Sequence, residues 1–275
     1  MATVAEMIEL MWKPPRKERG VKRQHIDRTL PENFKYYGHW GYTIYRTHYS
    51  TESDEHWDTL LNSLKRQTYL ALGYLDTDEM YRYDVKERKC GEFSHSNRDE
   101  YTSDLDRVKK LFRLDLREDS SLLNDLDVRQ LREVCLDEHP KAEKTMAGGM
   151  FHFVLMADEA VFKDIARGES IVKAVAYDWE ENGEYWGWMR VPTGYLLELW
   201  HILMMSPFNY HRVLCFEGPE EDLEKYIWAG DVAANLTSCA SEIRPLFVHY
   251  SAQRPEFGVD PKSRRYFPPK AGLPQ

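Results

Sequence analysis

Residues 171–192 read IVKAVAYDWEENGEYWGWMRVP, and the way this stretch pairs decides the fold. Two runs rich in β-branched and aromatic residues flank Asn182-Gly183, a dipeptide suited to the two positive-φ positions of a tight hairpin turn. With those residues at the turn, Trp179 is expected opposite Trp186, Tyr177 opposite Trp188, and Val175 opposite Arg190. The other face then carries Ala174, Ala176, Gly187, Met189 and Val191. Pro192 lacks a ladder donor and ends the second strand. Thr193 is expected to cap a helix that turns Leu196, Leu197, Trp200, Leu203 and Met204 inward.

Moving toward the N-terminus, FHFVLMA at 151–157 is apolar on both faces, the mark of a central strand. Asp158 caps a short helix through Ile165, closed by Gly168. In LFRLDLRED (111–119), Phe112, Leu114 and Leu116 alternate with charges, which predicts a half-buried strand. A helix around 125–138 turns Leu131, Val134 and Cys135 inward. A further strand is expected over about 40–49, where GYTIYRTHY puts Tyr42, Ile44, Arg46 and His48 on one side. Thr51 or Ser53 is expected to cap the next helix, whose stripe runs Trp57, Leu60, Leu61, Leu64, Thr68, Ala71 and Leu72 up to Gly73.

Residues 74–110 are polar and poor in aliphatics, and read as a lid, an insertion or disorder. Within them Tyr81, Tyr83 and Val85 suggest an edge strand and DLDRVKK a helical turn. Beyond the hairpin, VLCF (213–216) reads as a strand, EEDLEKYIW as a helix and LFVHY (246–250) as a last strand. Three regions follow: an N-terminal helix with a basic linker (1–30), a single domain (31–250) and a proline-rich basic tail (251–275). The order of elements does not alternate strictly and contains a hairpin. It predicts the α+β class, with a mixed, mostly antiparallel sheet covered by helices.

The formal charge of −9 argues against a general nucleic-acid binder, which needs a basic surface. Charge is unevenly spread: between residues 13 and 28 seven cations face only Glu18 and Asp27, a net of +5, which leaves −14 for the rest. Such an arm could dock on its own acidic body or on a partner, or stay solvated. Cys90, Cys135, Cys215 and Cys239 form no CxxC pair, so neither zinc nor a disulfide frame is expected. Glu6 and Glu9 do not suit a secretory or transit leader, and no apolar run approaches about 18 residues. A cytoplasmic location without a membrane span is the expectation.

GYTIYRTHYSTESDEHWDTLL, LFRLDLRED and YWGWMRVPTGYLLELW together resemble a widespread group of intracellular proteins from filamentous fungi. The resemblance covers roughly residues 38–205. It implies a cytosolic single-domain protein and brings no activity, cofactor or site residue with it.

Two constellations carry chemistry. Arg46 and His48 stand where a strand meets a helix start, a place that favours anions. An arginine fork and an imidazole there suit an oxyanion, and His152 joins them as a general base if it shares their face. The bland alternative pairs Arg46 with an acidic neighbour and leaves both histidines structural. The second constellation is the hairpin wall of Tyr177, Trp179, Trp186, Trp188 and Arg190, suited to an apolar or aromatic small molecule. Core or dimer packing explains the same residues. No glycine-rich phosphate loop, nucleophile elbow or metal-ligand spacing appears, so no cofactor or metal is expected. The chain reads as a cofactor-independent small-molecule binder or enzyme of proton transfer, isomerisation or cyclisation. The alternative is a non-catalytic interaction or homodimerisation module.

Overall fold

A computed structural model describes residues 3–15, 26–87, 93–180, 186–205, 214, 219–228 and 251–253. Nine α-helices are described: α1 (Val4–Met11), α2 (Thr51–Tyr74), α3 (Asp78–Glu87), α4 (Arg98–Leu111), α5 (Ser120–Leu123), α6 (Val128–Glu138), α7 (Ala147–Phe151), α8 (Glu159–Ala166) and α9 (Leu196–Met205). The strands are β1 (Trp40–Arg46), β2 (Phe112–Arg117), β3 (Phe153–Ala157), β4 (Ile171–Ala176), β5 (Trp188–Pro192), β6 (Tyr226–Trp228) and β7 (Ser251–Gln253). They form one sheet in the order β2-β1-β3-β4-β5-β6-β7. β1 runs parallel to β2 and β3; β3–β4, β4–β5 and β6–β7 are antiparallel; β5–β6 is parallel. This is the mixed α+β sheet that the sequence predicts.

β1 is buried because alternate residues meet different helices. Trp40, Tyr42 and Ile44 are fully buried, with Trp40 5.4 Å from the Trp200 ring and the Tyr42 hydroxyl donating to Leu196 O at 2.9 Å. On the reverse face the Tyr45 hydroxyl donates to Glu138 at the end of α6 at 2.7 Å. The sheet is therefore a middle layer. The stripe on α2 is buried as read, each leucine contributing about 1.5–3 kcal/mol. No helix among the described residues is long and apolar enough to cross a membrane.

Several local expectations change. Ser50 caps α2, with Ser53 returning the hydrogen bond as the third helical residue, so neither Thr51 nor Ser53 is the cap. Residues 78–87 form helix α3 instead of an edge strand: Thr77 accepts from Met80 N and Tyr81 N, and Asp78 and Glu79 complement the first turn. The region 74–110 is thus largely two helices, with α4 longer than the single turn expected. α1 packs on α4, and Val4, Met7, Ile8 and Met11 join the main core. Residues 220–225 are a 3-10 turn leading into β6 where a helix was expected, and residues 251–253, read as tail, form β7. Thr193 donates to Gln67 Oε1 at 2.8 Å and opens a 3-10 turn before α9 instead of capping it. Asn182-Gly183, most of VLCF and all of LFVHY lie outside the described residues.

The hairpin pairs two residues out of the expected register, with Val175 opposite Trp188 and Lys173 opposite Arg190. An even shift keeps each side chain on its face. Further bonds accompany this register at the strand ends. Tyr177 N donates to His152 O, leaving β5, while Arg132 bridges Ala176 O at 3.0 Å and Trp186 O at 2.7 Å. Gly187, at φ 67°, lies against Trp179, where a Cβ would come within 2.5 Å of the ring.

Candidate functional site

β1 and β3 end side by side, with Thr47 N donating to Ala157 O at 2.9 Å. Beyond these carboxyl ends opens a cleft of about 790 Å³, in the size range of small-molecule sites. Thr47 and His48 come from the β1 exit, Asp125 to Arg129 from the entry to α6, and Asp158 to Ala160 from the start of α8. Lys173 and Trp188 come from the sheet, and Glu220, Glu221 and Glu224 from the 3-10 turn. Local structure fixes several of these. Asp127 and Asp158 are helix caps, accepting from Gln130 N at 2.8 Å and Val161 N at 3.0 Å.

The cleft carries seven carboxylates against two formal cations, Arg129 and Lys173. Lys173, only 4% exposed, bonds Asp158 and Glu224 and lies 4.7 Å from the Trp188 ring centre. Glu224 also accepts from Arg190, whose guanidinium reaches Asp164. Burial pushes the Asp158 carboxyl upward, but the charge and hydrogen bond of Lys173, the Val161 amide and Arg190 together hold it below the usual range. Arg129 meets Glu220 at 3.1 Å.

The three histidine and arginine candidates are not brought together. Arg46 is 6% exposed, bonded to Asp54, Ser53 Oγ at 2.8 Å and His48 O at 3.2 Å, and enclosed by Tyr49, Trp57 and Phe162. It sits below the cleft and does not line it. His48 does line the cleft, with Nδ1 3.6 Å from Asp125 Oδ1.

His152 lies outside the strand expected for it. It caps α7 in the left-handed region at φ 58°, ψ 35°. It therefore stands four residues before Met156, the β3 residue that lines the cleft, about 13 Å away at 3.3 Å per residue. There Nδ1 meets Asp178 at 2.5 Å, and the ring stands edge-on to His139 at 4.7 Å. His139 Nδ1 lies 2.7 Å from the Tyr177 hydroxyl, which donates to Gly148 O. His139 and Tyr177 line a second pocket of about 350 Å³ with Tyr45 and Cys135. Burial, with Glu138 adjacent, raises the Tyr45 phenol, and burial pushes the Cys135 thiol up to about 12.

The hairpin wall likewise divides. Trp188 reaches the cleft, and Tyr177 faces the second pocket. Trp179 is covered by the Arg132 guanidinium at 4.3 Å, Trp186 packs on the core, and Arg190 is sealed at 1% exposure. No local pattern in the sequence marks the acidic wall. Its one legible signal was Lys173, a lone charge in the apolar run IVKAVA that demands a buried carboxylate. Among the described residues no three acidic, cysteine or histidine groups converge as a metal site. No family model, no curated protein and no solved structure matches this chain.

Proposed function

We propose that the chain binds a small organic molecule in the cleft at the exits of β1 and β3 and acts on it by proton transfer, with His48 as the acid–base group. The observation that carries this reading is the meeting of His48 and Trp188 in a cleft outside adjacent parallel strand ends, with Asp125 beside the imidazole. Glycine-rich phosphate loops are missing from the sequence, which favours chemistry without a nucleotide cofactor.

Native mass spectrometry after incubation with metabolite extract tests it. A retained small molecule is expected on the native chain and lost from Ala160→Trp, which fills the cleft. Turnover of that molecule is expected to fall by about 10²-fold or more in His48→Ala. Equal retention by Ala160→Trp, or unchanged turnover in His48→Ala, overturns the reading. A partner-docking role for the hairpin draws less support, because Tyr177 and Trp188 are buried and Trp179 is covered by Arg132.

A further inference from the structure

We infer that the ligand of this cleft is a small organic amine, held as its ammonium by the acidic wall and by the hydroxyl of Thr47. The inference rests on the cleft being the ligand site, as proposed above, and adds the chemical class.

Two independent observations lead to it. The first is the imbalance of charge. Both formal cations of the lining are already engaged, Arg129 by Glu220 and Lys173 by Asp158 and Glu224. Glu159 has Lys163 at 2.7 Å. Asp127 is engaged as the cap of α6. That leaves Glu221 exposed on the wall without an ion pair among the described residues, and Asp125 with only Asn124 and a 3.6 Å approach from His48. A concave site with excess carboxylates concentrates negative potential and draws cations in while repelling anions.

The second observation is Thr47. Its backbone is fully engaged, N–H to Ala157 O at 2.9 Å and C=O from Asp125 N at 2.8 Å. The residue lines the cleft and is 1% exposed, yet its buried Oγ1 has no hydrogen-bond partner. An orphan buried hydroxyl is costly, and a ligand donor relieves that cost. An ammonium offers three donors and no acceptor, which matches a wall of acceptors. Leu126, Val128 and Met156 supply apolar lining, so the ammonium should carry an apolar body. A bare metal ion fits poorly, because no three ligating groups cluster among the described residues.

The test is calorimetry on the full chain with tryptamine and with indole-3-acetate, which swaps the ammonium for a carboxylate on the same ring. Tryptamine is expected to bind at least about tenfold more tightly, a difference of about 1.4 kcal/mol. Thr47→Val is expected to melt no lower than the native chain, since it deletes an unpaired polar group, and yet to bind tryptamine several-fold more weakly. Glu221→Gln, an exposed position that should not disturb folding, is expected to weaken it similarly. Equal or tighter binding of indole-3-acetate overturns the amine assignment. So does native-like tryptamine binding by both variants. If neither probe binds while Ala160→Trp still abolishes retention of another metabolite, the amine class fails and the cleft stands. If Ala160→Trp binds tryptamine as the native chain does, the cleft itself is the wrong site.

Discussion

Arg190 and Asp164 meet in the interior with each side chain 1% exposed, and Glu224 and Arg167 complete the chain of charges around them. A buried ion pair adds little net stability, because desolvation offsets attraction, but removing one partner strands the other. Arg190→Met is therefore expected to cost about 3–5 kcal/mol in urea denaturation. Arg190→Met combined with Asp164→Leu should recover most of that loss. If the double variant is as unstable as the single one, the charge is not what the arginine supplies.

His95 sits at 0% side-chain exposure between Asp84 (2.7 Å) and Asp104 (2.9 Å), with Arg28 and Arg107 also on Asp104. Burial opposes its charge, but the hydrogen bonds and charges of the two aspartates prevail and raise it to about 9. A value raised above the unfolded one of about 6.5 stabilises the fold fully below that pH, and the contribution is lost as pH rises through about 9. The native chain is expected to lose on the order of 3 kcal/mol between pH 6 and 10 relative to His95→Gln, measured by paired urea melts. Parallel pH profiles for the two proteins would show that the imidazole is neutral in the fold.

Cys135 is 2% exposed and its thiol is pushed up to about 12 by burial, above its neighbour's opposing influence. Iodoacetamide at pH 8 should leave the peptide containing Cys135 unmodified in the native protein and modify it fully in urea. Rapid native labelling of that peptide would mean that the pocket behind Tyr45 opens.

Gly41 pairs with Arg113 at φ 129°, and a Cβ there would lie 2.0 Å from Arg113 O. Gly41→Ala combines a forbidden backbone region with a clash against the neighbouring strand. A loss of at least about 3 kcal/mol is expected, with the protection of β1 and β2 amides from hydrogen exchange falling together.

The elements with one strong period were legible. α2 shows the stripe from Trp57 to Leu72, and β2 the alternation of Phe112 and Leu114. Residues 78–87 misled because Tyr81, Tyr83 and Val85 alternate while Thr77 and the acidic first turn select a helix. The hairpin is bridged by Arg132, a residue 44 positions from the carbonyl it caps, which no local pattern reveals. At the site, His48 and Trp188 are legible from their own segments and share the cleft. Arg46 was explained instead by the acidic neighbour Asp54. His152 could not be placed, because its left-handed backbone depends on a helix hidden in AGGMF. The acidic wall gathers residues from three separate segments, and only the topology joins them.

The order of synthesis sets a problem that the finished molecule conceals. α2 contacts α8, α9 and the turn before α9, all made long after it, and β1 waits for strands that begin at residues 112 and 153. At roughly 5–20 residues per second, translating from residue 74 to residue 205 takes roughly 7–26 s. Throughout that interval the nascent chain carries Trp57, Leu60, Leu61 and Leu64 without the elements that will cover them. That stripe stays uncovered until the elements from α8 to α9 have been made.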